Sequence, residues 1–311
     1  MNLTTSPSAR RFSTYAWFVL IFNLAVVLWG AYVRATGAGA GCGNHWPLCD
    51  GEVVPRSPDL NKLIEFTHRA MTGIDGILVV IMVVWAFRTF PRGHAVRLGA
   101  TLSSVFLITE SLLGAMLVKL EHVAQNPSSA RAWSLSLHLI NTLTLMACLA
   151  LTAWWAVGRP AIRVKGREGA LAVVTLAVLV VLGISGVIAA LGDTLFPSKN
   201  FMEGWARDFD ASANVFVRLR IWHPLIAAFA AVWTVYYAIT SAARRPDVRR
   251  QASFVIGALL AQLLAGVTNL LLAAPVWLQL VHLLLADTLW ISLVLLAAAT
   301  LAVEPVVPSR R

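Results

Sequence analysis

Charge is what this chain has least of. Asp, Glu, Lys and Arg supply 13% of its 311 residues against 58% hydrophobic ones, and long runs hold almost none, which excludes an ordinary soluble domain. A membrane span needs about 20 apolar residues at a rise of about 1.5 Å each. Eight stretches qualify, at roughly 15–33, 63–87, 98–118, 133–157, 169–191, 215–240, 252–273 and 277–303, so the sequence predicts an all-α polytopic membrane protein. A clear small-residue cleavage site is missing too. Met1 to Ser13 holds two arginines and several hydroxyls ahead of a span longer than a signal-peptide core, and reads as uncleaved.

The charges that remain are sorted by loop. Arg88, Arg92 and Arg97 follow the second span, Arg159, Arg163, Lys165 and Arg167 the fourth, and Arg244, Arg245, Arg249 and Arg250 the sixth. Such loops are expected to be cytoplasmic. The alternate loops carry Asp50, Glu52, Asp59, Asp193, Glu203, Asp208 and Asp210, and the last, around Pro275, is almost chargeless. Both termini are therefore predicted to be cytoplasmic. The net charge of +10 reflects this bias, not a nucleic-acid partner.

The spans repeat in fours. Glu65-Phe66-Thr67-His68-Arg69, Ser111-Leu112-Leu113-Gly114 and Leu135-Ser136-Leu137-His138-Leu139 are answered in order by Arg220-Ile221-Trp222-His223-Pro224, Leu263-Leu264-Ala265-Gly266 and Leu280-Val281-His282-Leu283. Units with an even number of spans enter the membrane in the same direction, so the reading is two four-helix bundles related by a parallel pseudo-two-fold repeat. Residues 1–158 would form the first bundle and 169–311 the second. The basic link 159–168, with Pro160, would join them in the cytoplasm.

His68, His138, His223 and His282 each fall in the first turns of an even-numbered span, at one depth. Imidazole is costly in hydrocarbon. A single such histidine could be packing glue between helices, but four in register point to two pairs, each clamping a haem iron from both sides. No Cys-x-x-Cys-His occurs, which argues against covalently attached haem. Zinc fits poorly, since no cysteines or carboxylates converge beside each pair; a proton pathway is the other alternative. His45, His94 and His122 fall in loops and are expected to be solvated.

Haem propionates need cationic partners, and Arg69, Arg131, Arg218 and Arg220 flank the proposed ligands. Interfacial snorkelling explains each of them equally well. Glu65 stands three residues before His68, on one helical face with it, where the second half has Arg220. A carboxylate there could stabilise charge developing on a substrate or move protons; as the alternative, it is an exposed helix-start acid. Asp75 and Glu110 are further intramembrane acids, with Gln262 matching Glu110. They read either as structural hydrogen-bonders or as members of a proton path. Cys42 and Cys49, separated by Gly43 and Pro47 among others, are expected to form an outer-face disulfide, a staple or a redox relay. Cys148 reads as an inert thiol inside the fourth span.

Eight spans, Glu65-x-x-His68, His138, His223, His282 and the Cys42–Cys49 loop together resemble the haem A synthase family. The resemblance runs from Gly30-Ala31-Tyr32-Val33-Arg34 to the last histidine helix. It implies oxidation of the C8 methyl group of haem O to a formyl group, giving haem A for terminal oxidases. It further implies haem b as cofactor on His223 and His282, substrate haem on His68 and His138, and Glu65 as catalytic carboxylate. Haem O synthase and an electron-transfer protein would be partners besides membrane lipid. Many bacterial relatives carry a second cysteine pair in the third outer loop, but Gly192 to Ser212 has none. A long Arg- and Ser-rich presequence is also lacking, so the chain is similar to the bacterial, plasma-membrane form. The rival reading is a dihaem b-type electron-transfer protein with no reactive carboxylate. A transporter would instead show polar or broken helices at mid-membrane.

Overall fold

The computed structural model describes residues 6–302. Its helices are α1 (Pro7–Ala35), α2 (Leu60–Thr89), α3 (Ala95–Lys119), α4 (Ser129–Ala156), α5 (Gly166–Leu195), α6 (Phe201–Asp208), α7 (Val215–Leu219), α8 (Trp222–Arg244), α9 (Arg249–Leu271) and α10 (Val276–Thr300). Among the described residues there is no strand, and eight segments are long and apolar enough to cross a membrane, α7 and α8 counting as one. The chain is a multi-pass membrane protein.

Side-chain caps set the helix starts. Ser6 Oγ accepts from Ala9 N–H at 3.2 Å, Asp59 Oδ1 from Lys62 N–H at 2.9 Å and Ser128 Oγ from Arg131 N–H at 3.3 Å, each worth about 1 kcal/mol. Pro7 at the first helical position starts α1 well before residue 15, so most of the segment expected to precede the first span is helical. His94 is not a solvated loop residue. It is half-buried, caps α3 by accepting from Val96 N–H at 3.2 Å, and stacks on Phe90.

The sixth span is broken. Pro224 has no N–H to give the carbonyl of Arg220, and that carbonyl instead accepts from His223 N–H at 3.1 Å, tightening the turn between α7 and α8. The loop before it contains α6, unforeseen in the sequence because its eight residues carry no span-like run. The link after the fourth span is shorter than 159–168, since α5 already begins at Gly166. Its Arg163 N–H donates to Leu301 O at 3.1 Å, laying the link against the end of α10.

Helices α1 to α4 pack in a closed ring, as do α5, α8, α9 and α10; the rings meet where α4 touches α5 and α10, and α1 touches α10. The central helices are α4 and α10, whose spans are 44% buried against 17–22% for α2, α3, α5 and α9. Leu145, Met146 and Leu149 of α4 and Leu289, Leu293 and Leu296 of α10 form the core between them. Lipid tails are as apolar as these side chains, so close packing and interhelical hydrogen bonds must hold the spans together. Trp290 Nε1 donates to Leu143 O at 2.8 Å, Ser13 Oγ to Ala153 O at 3.0 Å and Trp233 Nε1 to Thr175 Oγ1 at 3.0 Å.

Candidate functional site: two histidine pairs

His223 on α8 and His282 on α10 face each other with ring centroids 6.5 Å apart and planes at 88°. Two imidazoles bound to one metal ion at about 2 Å each stand with ring centres about 6 Å apart. The spacing therefore fits a six-coordinate haem iron. Ser185 Oγ gives its own proton to Leu182 O at 2.7 Å, so it accepts from His223 Nδ1 at 2.9 Å and leaves Nε2 as the free lone pair. Gln262 lies 3.2 Å from His282 Nε2, while His282 Nδ1 is buried without a hydrogen-bond partner.

His68 lies on α2 and His138 on α4. Each has a buried Nδ1 with no hydrogen-bond partner. The nearest anion is Glu110, with Oε2 at 3.6 Å from His138 Nδ1, too long for a hydrogen bond. Glu110 itself accepts from Asn141 Nδ2 at 2.6 Å and from the Thr142 hydroxyl, tying α3 to α4. Asp75 is fully buried and accepts from Asn23 Nδ2 at 2.7 Å, joining α2 to α1.

Glycines on neighbouring helices shape both pairs. A Cβ on Gly30 would stand 2.9 Å from His68 Cε1, on Gly186 3.1 Å from His223 Cε1, and on Gly266 3.0 Å from His282 Cε1. Gly114, the counterpart of Gly266 in the repeat, has nothing within 4 Å.

Glu65 is no exposed helix-start acid. It is 3% exposed, accepts from Cys42 N–H at 2.8 Å and pairs with Arg69. Cys42 and Cys49 form a buried disulfide, and Arg69 Nη1 donates to His45 O and Leu48 O of the same loop, both at 2.6 Å. Glu65 and Arg69 therefore bolt the loop onto α2. Burial pulls against ionisation of such a pair, and the backbone donors offset it.

The four arginines expected to flank haem separate. Arg69 is committed to Glu65 and loop carbonyls. Arg220 holds Asp193 and Asp208, each at 2.7 Å, so its donors are occupied by carboxylates of this chain. Arg218 is exposed. Arg131 is 2% exposed, donates to Ala124 O and Asn126 O, and keeps a buried Nε without a partner. Of the loop histidines, His45 is exposed, whereas His122 is half-buried against Ser134 Oγ at 2.8 Å. Cys148 is a free, half-buried thiol. Sequence reasoning passed over Asp287, 2% exposed on α10 with Oδ2 unpartnered, and Arg34, which reaches from α1 to α5 and α10. Both were visible as ionisable residues in or at the end of apolar runs.

The chain is similar in sequence to known proteins. A protein of Thermus thermophilus named protoheme IX farnesyltransferase is 47% identical over 301 residues, 95% of this chain but 49% of its own length. The chain thus spans about half the length of that relative. Proteins named heme A synthase match shorter stretches: that of Exiguobacterium sibiricum is 36% identical over 106 residues, 34% of this chain and 36% of its own. That of Shouchella clausii is 44% identical over 92 residues, 30% of this chain and 31% of its own. Residues 13–294 match the family described as COX15-CtaA, cytochrome oxidase assembly protein. That match opens inside α1 and closes inside α10, so all four histidines lie within it, and the chain belongs to the COX15-CtaA family of cytochrome oxidase assembly proteins.

Proposed function

We propose that the chain is a haem A synthase of a bacterial plasma membrane, an oxidoreductase that converts the C8 methyl group of haem O to a formyl group. The facing of His223 and His282, with His68 and His138 on the corresponding helices of the first ring, carries this reading. His223 and His282 would hold haem b, which supplies electron exchange when bound. His68 and His138 would receive haem O as substrate, with its farnesyl tail left among apolar helices. The two rings of helices, α1 to α4 and α5 with α8 to α10, are on this view two bundles related by a parallel two-fold. Their main contacts are compatible with such an axis, because exchanging α1, α2, α3 and α4 with α5, α8, α9 and α10 turns each main contact among these eight helices into another that exists. The basic loops favour cytoplasmic termini.

In two successive oxidations water would give its oxygen to the carbon, first making the alcohol and then the hydrated aldehyde, with two electrons and two protons leaving each time, and the hydrate would lose water to give the formyl group. Glu65, one turn from His68, would stabilise positive charge at the attacked carbon. Arg69 and the Cys42 N–H keep that carboxylate in place. The Thermus relative, twice as long and named for haem farnesylation, favours haem O synthase as the partner that hands over substrate. A separate electron-transfer protein would take the electrons away.

Glu65→Gln tests the assignment. Extracted haems should show at least a roughly 100-fold loss of haem A formation while the second pair keeps its haem b spectrum. The rival reading, a dihaem b-type electron carrier, draws support from the way Arg69 and the loop occupy Glu65; normal haem A yield in the variant, or none in the parent chain supplied with haem O, would favour it.

A further inference from the structure

Two cations near the first histidine pair lack an anion. Arg131 stands seven residues before His138 on α4, about 10 Å toward the histidine end of the helix. It is 2% exposed, its Nη1 meets only the neutral carbonyls of Ala124 and Asn126, at 2.6 and 3.1 Å, and its Nε has no partner. Arg34 on α1 lies one turn beyond Gly30, the residue packed on the His68 ring. Its acceptors are also neutral: Ala190 O at 3.2 Å, Thr194 Oγ1 at 2.9 Å and Gln279 Oε1 at 3.3 Å. Among the described residues neither arginine forms an ion pair, whereas Arg69 and Arg220 have theirs. Asp193, next in the chain to the Thr194 that Arg34 bonds, is already bound to Arg220.

A buried cation such as Arg131 is costly without a counter-ion, and half-buried Arg34 has none either. We propose that Arg34 and Arg131 form an anion site at the mouth of the first histidine pair, which takes a carboxylate of the porphyrin bound there. This rests on the haem reading of His68 and His138. It moves the binding role from Arg69, Arg218 and Arg220, which are committed or exposed, to one arginine of that set and one outside it. Because Arg34 also bonds α5 and α10, the ligand's carboxylate meets a side chain shared by both halves.

The test is a Soret titration of the full chain in detergent with hemin and with hemin dimethyl ester, using His68→Ala as the blank for the first pair. The intact chain should bind the free acid about 10- to 100-fold more tightly than the ester, the worth of one or two charge-assisted hydrogen bonds. Arg34→Gln/Arg131→Gln should bind both alike. Retained discrimination in that variant overturns the proposal. So does equal binding of acid and ester by the intact chain together with loss of co-purifying phosphatidylglycerol in the variant, which would make a lipid phosphate the anion. If the double variant loses the spectrum of the second pair and so misfolds, Arg34→Gln alone decides, with reduced discrimination expected and unchanged discrimination refuting. Absence of any His68-dependent signal would instead sink the haem reading of the first pair.

Discussion

A single methyl group on α9 should distinguish a haem-binding histidine from a packing one. The Cβ of Gly266→Ala would sit 3.0 Å from His282 Cε1, where carbon atoms ordinarily approach to about 3.5–4.0 Å. The imidazole must then retreat by about 0.5 Å or more. Its retreat is opposed by Gln262 on the same helix, 3.2 Å from the ring. Overpacking of this kind costs about 1–3 kcal/mol. If the ring is an iron ligand, most of that strain appears when the metal is bound, so haem affinity at the second pair should fall about 5- to 150-fold. Gly257→Ala is the matched control, in the interior of the same helix with nothing within 4 Å. It should leave haem untouched and stabilise α9 by up to about 1 kcal/mol through helix propensity. Haem retained per protein through a dilution series, with the low-temperature visible spectrum, reads both variants. A Gly266→Ala chain with parental haem retention and spectrum would refute the assignment of His282 as a ligand.

Other expectations concern the connections at the histidine end. Arg220→Gln strands Asp193 and Asp208 together; with side-chain exposures of 10%, 28% and 11% for the three groups, the loss should be about 2–3 kcal/mol, read as a lower thermal midpoint that Arg220→Lys partly restores. Asp50, outside the spans, is hydrogen-bonded to Lys62 Nζ at 2.6 Å, and this holds its carboxyl below the usual range. A depressed carboxyl stabilises the loop above its unfolded value and loses that contribution as pH falls through the folded one. Phosphine reduction of Cys42–Cys49 should therefore quicken below about pH 4 in the parent chain. In Asp50→Asn it should be faster at neutral pH and lack that acid step; identical profiles would refute the link.

Some of this was open to inspection in the residues alone. A span is a sum of local hydropathy over about 20 positions, so all eight could be found without knowing what touches what. The same holds for the depth of the four histidines, since depth follows from position within a span. Partner choice is different. Arg69 and Arg220 look like ligand-facing cations until Glu65, Asp193 and Asp208 are brought to them by folding, and His94 looks solvated until it is seen capping α3. The break at Arg220 needed the hydrogen-bond ladder, although Pro224 gave its cause.

Order along the chain, then, determined the number of spans, the charged loops, the disulfide-forming loop and the four imidazoles, because each depends on neighbours within a few turns. Only the tertiary structure decided that His223 faces His282, that Gly30, Gly186 and Gly266 pack against the imidazoles, and that Arg34 and Arg131 are left without carboxylates. Those outcomes are set by contacts between helices far apart in sequence, where side-chain geometry determines which donors and acceptors are satisfied.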